Sequence, residues 1–197
     1  MCETVGLVTV FLVRHARAGR RDRWVGDDRL RPLSKKGRAQ AAALPGLLLP
    51  LISETLVSDT PVTDTPVTDT PVTDTPIVDT PIVDVRVGAA PVRLLASPWV
   101  RCTQTLEPLA TALGVVVELD DALSEGMGEK TVEALAGWLR DGTTVLCTHG
   151  DVVEAVLAHV EQGGVRLRPK GMPPKGSVWC FTGVDAVAAA KYFPPPA

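Results

Sequence analysis

Apolar and polar positions alternate in blocks along the chain. The run GLVTVFLV (residues 6–13) is apolar and rich in β-branched residues, which predicts a buried strand. A polar, cationic stretch follows. In PLSKKGRAQAAALPGLLLP, Ser34 is placed as an N-cap, the Ala, Gln and Leu that follow favour helix, and Pro45 is expected to kink or shorten it. Further on, VRLLA (92–96) predicts a strand. VRCTQTLEPLATALG (100–114) predicts a helix that ends at Gly114 and is interrupted at Pro108. VVVEL is a strand, EKTVEALAGWLRDG an amphipathic helix closed by Gly142, TTVLC a strand and DVVEAVLAHVEQGG a helix. SVWCF and AVAAAKYF end the chain as strand candidates. This alternation predicts an α/β fold, a three-layer α/β/α sandwich with a mostly parallel central sheet.

One segment breaks the pattern. From Asp59 to Val83 the unit Asp-Thr-Pro-(Val/Ile)-(Thr/Val) occurs five times. Its period fits neither helix nor strand, and a proline in each unit excludes a regular helix and central-strand pairing. Residues 59–84 are therefore expected to be an extended or disordered insertion in an otherwise single domain spanning 1–197. Two roles are open to it, a partner-docking arm or a tolerated loop expansion. The second is favoured because loop length costs little.

The chain has 197 residues and a net charge of −3, which gives no overall signal for a nucleic-acid partner. The distribution of charge changes the picture. Ten of the twenty cations fall between Arg14 and Arg38, opposed there by Asp22, Asp27 and Asp28. That density suits a small, highly charged anion. The four cysteines, Cys2, Cys102, Cys147 and Cys180, are scattered, so neither a metal site nor a disulfide framework is expected; Cys147 and Cys180 read as buried thiols. No cleavable leader and no apolar run of membrane-spanning length is apparent, which makes a cytoplasmic monomer the default expectation.

In open α/β sheets ligands sit beyond the carboxyl ends of the strands. Three candidate strands deliver chemistry there. Arg14 and His15 follow the first, Ser97, Pro98 and Arg101 follow VRLLA, and Thr148 and His149 follow TTVLC. Two histidines and two arginines are thus predicted to converge on one sheet edge. A neutral imidazole can attack phosphorus and form a phosphohistidine. Arg14 is expected to help keep His15 unprotonated, and guanidiniums bind phosphate oxygens in fork geometry and stabilise the transferring group. His149 is expected to donate a hydrogen bond to the phosphate, near the N-terminus of the helix that begins beside Gly150. The scheme needs no metal or other cofactor. Arg20, Arg21 and Arg23 read as rim residues that steer anions.

The motifs LVRHA, RPLSKKGRAQA, ASPWVRCTQT and LCTHGD resemble the histidine phosphatase superfamily, also called phosphoglycerate mutase-like, and in particular its short SixA-type branch. RAGRRDRW, DDRLRPL, VRCTQTLEPLA and KGSVW resemble the phosphatase domains attached to MutT-type Nudix proteins, although no Nudix box is present. The resemblance implies that His15 is the nucleophile. It implies that Arg14, Arg101 and His149 form the phosphate pocket, that Arg31 adds a further pocket arginine, and that Glu125 is the general acid, favoured over Asp151. Arg17 stands where mutases tend to carry serine, which argues against a mutase. Arg17, Arg21, Thr148 and Gly150 are further substrate-binding candidates. The implied activity is hydrolysis of phosphomonoesters, nucleotides among them, through a phosphohistidine on His15. Alternatives are a SixA-type phosphatase acting on phosphohistidine proteins, or a non-catalytic phosphate-binding or docking module.

Overall fold

The structure is a computed structural model that describes residues 8–57 and 92–196. The Asp-Thr-Pro repeat and Cys2 lie outside these residues. Six strands form one sheet in the order β3-β2-β4-β1-β5-β6. These are β1 (Val8–Arg14), β2 (Arg93–Ala96), β3 (Val117–Leu119), β4 (Thr144–Thr148), β5 (Val178–Val184) and β6 (Ala186–Phe193). β3, β2, β4 and β1 run parallel, whereas β5 and β6 are antiparallel additions at the β1 side. The central strands are apolar on both faces because both faces are covered: all five β4 residues are buried, as are Thr9–Val13 of β1.

Helices α1 (Lys35–Val57) and α2 (Val100–Leu113) cover one face, where Leu44, Leu48, Ile52, Leu106 and Leu109 meet Phe11, Val13, Leu94 and Val145. Helices α3 (Gly128–Trp138) and α4 (Gly150–Gln162) cover the other, with Leu135, Trp138, Val153 and Val156 against Val10, Leu12, Leu95 and Leu146. This is the expected three-layer α/β/α arrangement.

Local expectations are corrected in four places. α1 runs through Pro45 and on past Pro50 to Val57. The stripe Leu44-Leu48-Ile52 is buried to within 2 % of full, and both prolines lie off it. Packing of that stripe outweighs the roughly 3 kcal/mol cost of an interior proline. α2 likewise continues past Pro108 and ends, as expected, at Gly114, whose φ of 67° is left-handed and whose N–H returns to Ala110 and Thr111. α3 ends at Trp138, because Trp138 and Leu139 turn into the core, and Gly142 (φ 90°) serves the turn into β4 instead. Cys147 is buried but Cys180 is only partly so, since the antiparallel edge is less covered than the parallel centre.

Three adjacent strands, β2, β4 and β1, end level with one another. Arg14 registers with Thr148, and Ala96 with Cys147. The chain is locked just beyond these ends: the His15 N–H donates to the Thr148 carbonyl at 2.9 Å and the Ser97 N–H to the Cys147 carbonyl at 3.0 Å.

Candidate active site

A cleft of about 950 Å³ opens beyond those strand ends. Arg14, His15, Arg17, Arg21, Arg31, Arg101, Glu125, His149 and Gly150 all line it. The predicted set therefore comes together, with one exception. Thr148 is fully buried and its hydroxyl donates to the Leu123 carbonyl at 2.6 Å, so it pins the turn ahead of Glu125 instead of facing the cleft.

His15 is 5 % exposed. Its Nδ1 lies 2.7 Å from the Ala16 carbonyl, which can only accept, so Nδ1 carries the proton and the neutral ring keeps its lone pair on Nε2. Burial holds the pKa well below the ordinary 6.5, against the Ala16 hydrogen bond, and His149, Arg101 and Lys175 push the same way. The neutral state thus arises chiefly from burial, and among the arginines Arg101 contributes most to it. The Arg14 guanidinium donates to the Pro173 carbonyl at 2.5 Å and lies over Gly150. A Cβ at Gly150 would fall 2.8 Å from Arg14 Nη2, so glycine is what lets the guanidinium lie there.

His149 is held differently. Its Nε2 is 2.9 Å from Ser97 Oγ, and its Nδ1 is 3.3 Å from Arg101 Nη2. A guanidinium only donates, so Nδ1 accepts and Nε2–H donates to Ser97. Neither ring nitrogen is free to donate to a phosphate in this arrangement. The Trp99 ring packs on both partners, 4.3 Å from Arg101 Cζ and 4.7 Å from the His149 ring. The two histidine rings are 5.4 Å apart.

Arg101 is 1 % exposed and also reaches the Asp28 carbonyl at 2.9 Å and Glu125 Oε2 at 2.8 Å. Glu125 accepts from Arg21 as well, at 3.1 and 3.2 Å, and stands 3.8 Å from His149 Nδ1. Asp28 organises the group: it pairs with Arg31 at 2.6 Å, Arg21 at 2.8 Å and Arg101 at 3.4 Å. The Arg31 hydrogen bond, then Arg21 and Arg101, hold its carboxyl well below the usual range. Arg31 also donates to the Gly19 carbonyl, tying the arginine-rich loop across the cleft mouth. Asp151 accepts the Gly126 N–H at 2.6 Å. Trp24 donates to the Asp27 carbonyl at 2.9 Å, fastening the same loop.

Reasoning from sequence missed Lys175, Asp28 and Trp99 and gave Ser97 no role. Trp99 and Ser97 sit inside the ASPWVR stretch, and Asp28 is one of three acids among the ten cations. Lys175 had no local signal beyond KGSVW. Among the described residues no group of three or more His, Cys, Asp or Glu could hold a metal ion, and no helix is long and apolar enough to cross a membrane.

No family model matches the chain. Over 95 % of its length it is 32 % identical to a Mycolicibacterium smegmatis protein described as an 8-oxo-(d)GTP phosphatase. The chain spans about half, 48 %, of that relative. Among solved structures, a proposed phosphohistidine phosphatase SixA from Agrobacterium tumefaciens is similar with a TM-score of 0.61, 17 % identity and coverage of 96 % of this chain and 99 % of that one. The protein histidine phosphatase SixA in complex with tungstate gives a TM-score of 0.58 at 17 % identity, covering 94 % of each chain. These likenesses show that the chain has the fold of the SixA structures. Its sequence likeness is to about half of the Mycolicibacterium smegmatis 8-oxo-(d)GTP phosphatase.

Proposed function

We propose that the chain is a metal-independent phosphatase that hydrolyses small phosphorylated substrates, nucleotides foremost, through a phosphohistidine on His15. The observation that carries this reading is the Nδ1–H of His15 bound to the Ala16 carbonyl, in a buried ring that stays neutral. That leaves Nε2 as an unprotonated nucleophile in a cleft of arginines. In the proposed reaction, Arg14 and Arg101 take the equatorial oxygens of the transferring phosphoryl group, where electrostatic stabilisation dominates. Nε2 bonds to phosphorus and the leaving oxygen departs. Water then cleaves the P–N bond, and Nε2 recovers its electron pair. His149 positions Arg101. Arg17, Arg21, Arg31 and Gly150 shape the anion site. Glu125 is the proposed proton donor to an alkoxide, a role that requires it to leave Arg101 and Arg21.

The nucleotide preference rests on the 32 % identity to the mycobacterial relative. A phosphohistidine protein is the second reading, favoured by the fold shared with SixA. A cytoplasmic location is part of the same proposal. The test is hydrolysis of p-nitrophenyl phosphate, mononucleotides and a phosphohistidine protein in EDTA. Turnover that disappears in His15→Ala supports the proposal. Equal rates for wild type and His15→Ala would leave a non-catalytic phosphate-binding module.

A further inference from the structure

Charge is balanced unevenly within the cleft. Arg20 pairs with Asp22, Arg31 with Asp28, and Arg21 and Arg101 with both Asp28 and Glu125. Two cations on the same wall, Arg17 and Lys175, make no ion pair and no side-chain hydrogen bond among the described residues. One buried side chain sets them side by side. Gln40, 8 % exposed, accepts the Arg17 N–H at 3.1 Å through Oε1 and donates to the Lys175 carbonyl at 3.2 Å through Nε2. The Arg17 carbonyl in turn accepts from the Ser34 N–H and hydroxyl at 2.9 and 2.8 Å. Gly37 makes this approach possible, since a Cβ there would lie 1.9 Å from the Arg17 oxygen. Burial, then the fields of Arg14, Arg31, Arg101 and Arg17, lowers the Lys175 pKa. An ammonium half out of water and facing guanidiniums is unfavourable until an anion joins it.

We propose that Arg17 and Lys175 form a second phosphate subsite and that the preferred substrate is a phosphoanhydride, a nucleoside diphosphate whose terminal phosphoryl group goes to His15. This rests on the function proposed above and names its substrate class. The second phosphate is the leaving group. Nε2 of His15 forms the N–P bond, the bridging P–O bond breaks, and its electron pair leaves on the nucleoside monophosphate. Water then attacks phosphorus, the N–P pair returns to Nε2, and the water proton goes to the solvent. The net change is diphosphate plus water to monophosphate plus inorganic phosphate. A phosphate departs without a proton, so Glu125 stays with Arg101 and Arg21 throughout.

The experiment compares kcat/KM for GDP, GMP and p-nitrophenyl phosphate in wild type, Arg17→Met, Lys175→Met and the double variant. GDP should exceed GMP by about tenfold or more in wild type, the worth of one or two charge-assisted hydrogen bonds, and the ratio should fall towards one in the double variant. Inhibition of p-nitrophenyl phosphate hydrolysis in wild type supplies a readout that needs no variant: pyrophosphate should bind about tenfold or more tightly than inorganic phosphate. A wild-type GDP/GMP ratio near one, equal inhibition by the two anions, or a ratio retained in the double variant overturns the proposal. Were p-nitrophenyl phosphate turnover to need His15 while GDP had no advantage, this subsite alone would fail. Were His15→Ala to match wild type, the underlying function would fail.

Discussion

The ends of β1 and β4 each deliver a histidine to the same cleft, yet they hold it by opposite means. At the β1 end, His15 is fixed by backbone: its Nδ1–H goes to the Ala16 carbonyl and its own N–H to the Thr148 carbonyl. At the β4 end, His149 is fixed by side chains, with Ser97 on one nitrogen, Arg101 on the other and Trp99 against the ring. A backbone clamp on one nitrogen leaves the other free to react. A side-chain clamp on both makes the ring a strut. Similar residues at equivalent strand ends are thus suited to different tasks, nucleophile and positioning group.

Variants can break this asymmetry in graded steps. His15→Ala removes the proposed nucleophile and should lower kcat by about 10³-fold or more, measured with p-nitrophenyl phosphate. Arg101→Lys keeps the charge but loses the fork that joins His149, Glu125 and the Asp28 carbonyl; kcat/KM should fall about 10²-fold. The thermal midpoint should drop with it, because Asp28 and Glu125 lose a buried partner. Ser97→Ala removes the acceptor from His149 Nε2–H and should cost about tenfold in kcat, with a shifted tautomer population in the ¹⁵N spectrum of that ring. Retention of the wild-type tautomer and rate would break the strut account. The smallest effect concerns acidity. His15 binds its proton less readily folded than unfolded, so both stability and kcat/KM should hold above pH 6.5, and stability should erode as pH falls below it. The acid limb of kcat/KM should lie well below 6.5 and be absent as a residual trend in His15→Ala.

Much of this was legible because the signals are local. A strand that is apolar on both faces followed at once by Arg-His, and the recurrence of that form at Ala96–Ser97 and Thr148–His149, foretold which side chains share an edge. Less was legible where distant packing decides. Nothing near Pro45 reveals that the Leu44-Leu48-Ile52 stripe carries α1 past it. Thr148 sits at a strand end like His149, but strand alternation turns its side chain towards Leu123. Lys175 enters the cleft through a connection whose path depends on Gln40 of α1, 135 residues earlier in sequence.

The central claim is that His15 attacks phosphorus through Nε2. It is tested most directly by quenching the enzyme during turnover and locating the phosphoryl group by mass spectrometry and ³¹P NMR. One phosphoryl group on His15, bonded to Nε2, is the predicted result. A phosphoryl group on Nδ1 or on His149, or none at saturating substrate in rapidly quenched samples, would contradict it.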